Sequence, residues 1–156
     1  MEDPGVRREI IWIISVVALL AVFLGSIAYA LSRGYSVASE AEVLPLEKAT
    51  GLFEPGVKKL GDGRYLVDIV AYMWGFRPSR VELENPREVI IRIYSRDVIH
   101  GFQIVGTNVN AMVIPGYITT IVWRPPYNIN GTLLTICNEY CGIGHSDMYM
   151  EFIIRR

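Results

Sequence analysis

Residues 65–74 read Tyr-Leu-Val-Asp-Ile-Val-Ala-Tyr-Met-Trp, and residues 88–94 read Glu-Val-Ile-Ile-Arg-Ile-Tyr. In an extended chain successive side chains point to opposite faces. Tyr65, Val67, Ile69, Ala71 and Met73 therefore fall on one face of the first stretch. In the second, Val89, Ile91 and Ile93 face away from Ile90, Arg92 and Tyr94. A period of two predicts half-buried strands rather than helices. Runs of the same kind occur at 80–84, 98–105, 109–114, 117–124, 132–137 and 148–154. Turn signals separate them at Asn85-Pro86, Pro115-Gly116, Pro125-Pro126 and Asn130-Gly131. Short strands at close spacing, with no long helical period, predict an all-β domain over 63–156, an antiparallel sandwich or barrel. No internal repeat is visible.

Upstream the character changes. Residues 10–31 (IIWIISVVALLAVFLGSIAYAL) carry no charge. At about 1.5 Å per residue such a helix reaches about 33 Å, enough to cross a hydrocarbon core of about 30 Å. Arg7, Arg8 and Glu9 stand on one side and Arg33 on the other, and Trp12 and Tyr29 lie near the ends, where amphipathic rings favour the interface. A secretory signal peptide is the rival reading, with Ala28-Tyr29-Ala30 as a small-x-small cleavage site. The apolar run exceeds the usual signal core of about 7–15 residues, so a retained anchor is expected. The expected organisation is a tail at 1–9, a transmembrane helix at 10–31, a linker at 32–62 with a helical turn near 46–51, and the β-domain at 63–156. Arg7 and Arg8 before the span favour a cytoplasmic N-terminus, which sends the β-domain across the membrane.

The 156 residues carry 15 basic and 16 acidic side chains, a net charge of −1. That balance argues against nucleic acid as a partner, because neutralising phosphates needs a basic face. Two cysteines cannot staple a disulfide-rich scaffold.

Those two cysteines lie in the most informative segment, Cys137-Asn-Glu-Tyr-Cys-Gly-Ile-Gly-His-Ser-Asp-Met148. Two thiols, an imidazole and a thioether fall within one short loop between strands. The other histidine, His100, follows Asp97-Val-Ile. Thiolate and thioether are soft donors and imidazole is intermediate, a set that selects copper over hard cations. Gly142 and Gly144 let the loop curl so that its side chains converge. Other readings stay open on chemistry alone. Cys137 and Cys141 could form a disulfide, which leaves His100, His145 and Met148 without a task. Structural zinc on Cys2His2 has no use for Met148. A mononuclear blue copper site needs one cysteine and leaves the second over. Two thiolates bridging two coppers use every donor.

At these residues the chain resembles subunit II of haem–copper oxidases, and among them the short, single-span subunit II of B-type cytochrome c oxidases. The resemblance runs through Ala71-Tyr-Met-Trp-Gly-Phe-Arg-Pro78, Ser95-Arg-Asp-Val-Ile-His-Gly-Phe102, Gly106-Thr-Asn-Val-Asn110, Val113-Ile-Pro-Gly116 and the Cys137 to Met148 loop. It implies a cupredoxin-like Greek-key sandwich on a membrane anchor, with a dinuclear copper (CuA) centre. Cys137 and Cys141 would bridge the coppers, and His100 and His145 would bind one each. Met148 and the backbone carbonyl of Glu139 would be weak ligands. Many B-type relatives carry Gln at the position of Glu139, whereas longer relatives carry Glu, which there helps hold a Mg2+ at the interface with subunit I. A Mg site through Glu139 is therefore a further expectation.

The implied function is that of the electron-accepting subunit of a terminal oxidase. A soluble cytochrome c or blue copper protein would be the donor, haem in subunit I the acceptor, and oxygen reduction with proton pumping the task of subunit I. Quinol-oxidising relatives lack the copper ligands, and here all are present. No water-activating base or nucleophile lies near the loop, so the chain would be enzymatic only within its complex. Two weaker expectations concern neighbours of the loop. Tyr72, Trp74 and Phe76 form either sandwich packing or an aromatic patch through which electrons enter. Asp97 is either an exposed loop carboxylate or the group that orients His100. A reading of another class is a membrane-anchored copper-delivery protein outside any oxidase. Delivery favours an exposed, exchangeable site, which this closed loop does not resemble.

Overall fold

The computed structural model describes residues 3–33, 41–43 and 53–156, the short middle stretch by its backbone only. The chain divides into two units, Met1–Ser36 and Val37–Arg156.

The first unit is helix α1 (Pro4–Ser32). The Asp3 carboxylate accepts the Gly5 N–H at 2.9 Å and caps its start, and Pro4 occupies the first turn, where its missing N–H costs nothing. At the other end the Arg33 N–H bonds the carbonyls of Tyr29 and Ala30, both at 3.1 Å. None of its residues is buried within the unit. A helix apolar on every side satisfies its own backbone and suits a lipid surround. The apolar segment at 10–31 lies inside it, and the helix begins earlier than that segment because Arg7, Arg8 and Glu9 continue the same backbone hydrogen bonding.

The second unit is a β-sandwich. One sheet orders β1 (Ala41–Val43), β9 (Tyr117–Trp123), β6 (Glu88–Ser95), β3 (Arg64–Tyr72) and β2 (Gly56–Gly61), with the short β4 (Gly75–Arg77) paired to β3. The other orders β5 (Arg80–Glu84), β11 (Tyr149–Arg155), β10 (Gly131–Ile136), β7 (His100–Ile104) and β8 (Asn110–Val113). Alternation fills the space between them as expected. Val67, Ile69, Ala71, Val89, Ile91 and Ile93 of one sheet are buried with Val81, Leu83, Phe102, Ile104, Met150, Phe152 and Ile154 of the other. Trp123, Phe152, Phe102 and Phe76 meet edge to face in a row, with ring centroids 6.3, 6.3 and 5.7 Å apart. Such contacts add to the burial of each ring.

Three expectations need correction. The sheets are mixed rather than antiparallel, since β3 pairs parallel with β6 and β5 parallel with β11. Parallel neighbours need a crossover, and here the chain leaves β3, crosses through β4 and β5 to the other sheet and returns as β6. The stretch 32–62 is not all linker, because it contributes β1 and β2. Its helical turn near 46–51 lies outside the described residues. Strand β2 is exposed along nearly all its length, so no alternation of apolar residues marks it. Met73 leaves the buried face, since β3 ends at Tyr72 and the chain turns outward.

Phe53 forms a second apolar cluster on the outer face of the first sheet, with Tyr94 and Ile118 buried beneath it and Val70 beside it. Next to it Arg92 holds the buried Asp68 through two hydrogen bonds of 2.7 Å, and its guanidinium lies 5.6 Å from the Phe53 ring centroid. The compact unit thus begins well before residue 63. A fragment of residues 37–156 is expected to exceed one of residues 63–156 by about 3 kcal/mol or more in unfolding free energy, the scale of one buried aromatic side chain with an edge strand added. Urea denaturation of the two fragments measures it, and equal midpoints would show that β1, β2 and Phe53 add nothing.

Candidate metal centre

Strands β7, β10 and β11 end together, and that end of their sheet carries the donors. His100 opens β7, Cys137 follows β10, and Met148 immediately precedes β11. Pairing of Ile136 with Gln103 and with Tyr149 sets these ends side by side. The Cys137 N–H closes the loop on the Met148 carbonyl at 3.1 Å. Between them the chain turns through Gly142, at φ +115°, a conformation that side chains rarely adopt. It then makes a single 3-10 turn, His145–Asp147.

The six expected donors converge. Cys137 Sγ and Cys141 Sγ are 3.7 Å apart, and no disulfide joins them. Around Cys137 Sγ stand His100 Nδ1 at 3.9 Å and the Glu139 carbonyl oxygen at 3.2 Å. Around Cys141 Sγ stand His145 Nδ1 at 3.6 Å and Met148 Sδ at 3.7 Å. His100, Cys137 and Cys141 offer ligand atoms within 4.8 Å of one another, all in buried residues. Met148 is buried too, His145 is half-buried, and the Glu139 side chain is exposed. This is a two-lobed set, one sulfur to each lobe, with a nitrogen and one weak donor at each. Soft and intermediate donors in this number fit copper.

Electrostatics point the same way. Burial, then the neighbouring Cys137 thiol, then the Asp97 charge push the Cys141 thiol up to about 11. A thiolate there needs a cation beside it, and a metal that displaces the thiol proton supplies one.

Asp97 touches the centre directly. One carboxylate oxygen meets His100 Nε2 at 2.8 Å and accepts the Val98 N–H at 2.7 Å. The other accepts the Met73 N–H at 2.7 Å. Partial burial would raise its pKa, but the hydrogen bonds from Met73, His100 and Val98 outweigh it and hold the carboxyl below its ordinary value. With Asp97 ionised, Nε2 keeps its proton and Nδ1 presents its lone pair to the thiols. Ser95 Oγ donates to the Val98 carbonyl and steadies the same loop.

The aromatic group divides. Tyr72 and Trp74 are exposed, Trp74 against the loop and Tyr72 beside Phe53 and Tyr94, whereas Phe76 is 2% exposed and packs against Phe102 in the core. Phe76 therefore does not belong to a surface patch, because the turn after Tyr72 breaks the alternation that would have kept all three together. Trp74 Nε1–H donates to the Cys141 carbonyl at 3.1 Å. Sequence reasoning missed Gly101. Its N–H donates to Cys137 Sγ at 3.4 Å. A Cβ there would lie 2.0 Å from Asn138 Oδ1 and 2.8 Å from the Asn138 and Glu139 nitrogens. The one signal available was the smallest residue directly after a candidate donor histidine.

Residues 77–155 match the family model described as cytochrome C oxidase subunit II, periplasmic domain. A cytochrome c oxidase subunit 2 of Thermus thermophilus is 32% identical over 152 residues, which cover 92% of this chain and 89% of that one. The chain belongs to the cytochrome c oxidase subunit II family. A second Thermus thermophilus cytochrome c oxidase subunit 2 is 36% identical over 99 residues, covering 64% of this chain and 72% of its own. Among solved structures, a chain of a heme-copper terminal oxidase dimer superposes with a TM-score of 0.70 at 27% identity, over 91% of this chain and 96% of that one. The periplasmic domain of subunit II of cytochrome oxidase from Bradyrhizobium japonicum shares the fold, with a TM-score of 0.51 at 17% identity over 64% and 87% of the two chains. This subunit II is thus a cupredoxin-like β-sandwich with an N-terminal apolar helix long enough to cross a membrane, which fits a membrane-anchored protein. It serves an oxidoreductase complex in the electron-accepting role, with subunit I as its membrane partner.

Gly101→Ala is expected to destabilise the domain by about 1–3 kcal/mol, the usual cost of overpacking. Gly56→Ala, where a Cβ meets nothing within 4 Å, is expected to stay within about 0.5 kcal/mol of wild type. Denaturation of both variants checks the pair, and equal shifts would remove the special place of Gly101.

Proposed function

We propose that this subunit II takes electrons from a soluble donor, a cytochrome c or a small blue copper protein, and delivers them to haem in subunit I through a dinuclear copper (CuA) centre. The observation that carries the proposal is the two-lobed cluster, in which two unlinked thiols 3.7 Å apart each meet an imidazole and a weaker donor. Cys137 and Cys141 would bridge, His100 and His145 would each take one metal, and Met148 and the Glu139 carbonyl would be the weak ligands. Copper so bound supplies one-electron redox chemistry with its charge change spread over both sulfurs. The chain contributes rigidity. Its ligands sit on strand ends and a closed loop, and Asp97 holds the His100 ring and its tautomer.

Burial of both cysteines and of His100 supports retention of the metal over exchange, which disfavours a delivery role. Exposed Trp74 against the loop, and Tyr140 and Ile143 within it, support a docking face for the donor. The exposed Glu139 carboxylate is free to hold Mg2+ toward subunit I, as a hard cation prefers oxygen. One long apolar helix among the described residues is in keeping with the short B-type form. Arg7 and Arg8 on its N-terminal side support a cytoplasmic N-terminus and an extracytoplasmic copper domain, in keeping with the family's description as a periplasmic domain.

Purified chain loaded with copper is expected to hold two ions. Cys137→Ser or Cys141→Ser is expected to abolish the paired centre, because a hydroxyl does not bridge or ionise comparably. Met148→Leu should keep both ions and shift the reduction potential, and Glu139→Gln should leave copper content and colour unchanged. One ion per chain, a preference for zinc, or bleaching by Glu139→Gln would each break the assignment. Orientation is checked by protease added to spheroplasts. Cleavage between α1 and the β-domain from outside is expected, and cleavage from the cytoplasmic side alone would reverse it.

A further inference from the structure

The turn between β3 and β4 reaches both parts of the metal centre. The Met73 N–H donates to one oxygen of Asp97, whose other oxygen holds His100 Nε2. The next residue, Trp74, donates Nε1–H to the carbonyl of Cys141. Its indole also fills the space over the two loop glycines. A Cβ at Gly144 would come within 2.6 Å of Trp74 Cδ2 and 2.7 Å of Cγ, and one at Gly142 within 3.1 Å of Nε1. Two adjacent residues thus touch the loop that carries His100 and the loop that carries Cys141, His145 and Met148. Neither ligand chemistry nor ligand spacing demands these contacts.

We propose that Trp74 is a positioning residue, a clamp that seats the Cys141–His145 part of the loop, and that residue 144 is glycine in order to admit its indole. The proposal rests on the reading of the six donors as a copper site, but the clamp itself is a property of the chain. Two glycines touch the ring, and they differ in a useful way. Gly142, at φ +115°, is strained for any side chain whatever lies beside it. Gly144 has φ −90° and ψ 16°, values that alanine adopts in ordinary turns. The three atoms nearest to a Cβ at Gly144 all belong to the indole. Trp74 is 43% exposed, so removing its ring opens room to solvent rather than a sealed cavity, and the loop loses its outer wall. The hydrogen bond to the Cys141 carbonyl fixes the peptide that follows a thiol. Its loss would loosen the seat of that sulfur without removing a donor.

A double-mutant cycle tests this on the full chain in neutral detergent, with wild type, Trp74→Ala, Gly144→Ala and the double variant. Two quantities are read, the thermal midpoint of the metal-free protein and the rate at which a chelator strips copper from the loaded protein. Gly144→Ala in the wild-type background is expected to lower the midpoint and speed copper loss. In the Trp74→Ala background it is expected to change neither. Trp74→Phe keeps a ring and loses the N–H. It is expected to speed copper loss about 2- to 12-fold, the range for one net hydrogen bond, with copper content and visible spectrum kept. Equal effects of Gly144→Ala in both backgrounds would overturn the clamp, and unchanged copper loss in Trp74→Phe would overturn its hydrogen bond. A wild-type chain that takes up no copper would defeat the metal assignment instead, and the metal-free cycle would still decide the clamp.

Discussion

Cys137 and Cys141 place two sulfurs 3.7 Å apart at positions only 5% and 6% exposed. Burial pushes the Cys141 thiol up, and two thiolates so close would repel one another. The energetic remedy is positive charge from a soft ion that both sulfurs can share. Everything else at this end of the sandwich follows from that need. Two imidazole nitrogens, a thioether and a peptide carbonyl face the same pair of sulfurs. The Gly101 amide adds a hydrogen-bond donor directed at Cys137 Sγ. Remove the sulfur pair, and the buried His100, the buried Met148 and the inward carbonyl of Glu139 have no common purpose.

Holding such a set in place is a mechanical problem, and the fold answers it with strand ends rather than free loops. Three neighbouring strands of one sheet deliver His100, Cys137 and Met148, so their separation is set by ladder spacing and register. The loop that completes the set is closed at its base by the Cys137 to Met148 backbone hydrogen bond. In the core lies the row of edge-to-face aromatics from Phe76 to Trp123, and close-packed interiors resist movement of the strands around them. A relay benefits from ligands that barely move between oxidation states, and a close-packed sandwich resists such movement.

The opposite face of the other sheet has a separate logic. Phe53 covers Tyr94 and Ile118, and Arg92 neutralises the buried Asp68 through two parallel hydrogen bonds. Removing one member of such a pair leaves an uncompensated buried charge, so the arrangement ties the segment before β2 to the middle of the sheet. Phe53 and β2 are in this way part of the folded domain.

Much was legible in the primary structure because it is local. An uninterrupted apolar run is long enough to cross a membrane, and the structure makes it one continuous helix. Strict alternation declares which residues of 65–71 and 89–93 face the core, and each of those at odd positions is buried. The donor set is also a matter of residue types and spacing, and all six expected donors converge in space. What periodicity could not reveal depends on partners distant along the chain. Parallel pairing of β3 with β6 is invisible to a pattern that reports only the face of one strand. Strand β2 buries almost nothing and so leaves no apolar signature. Tyr72, Trp74 and Phe76 share an alternation that the turn destroys, sending Phe76 to the core and Trp74 over the ligand loop. Gly101 looked like any glycine until the fold brought the Asn138 backbone against it. The donor set is written in the chemistry of the chain, whereas the contacts that seat it were decided by which strand ends the sandwich brings together.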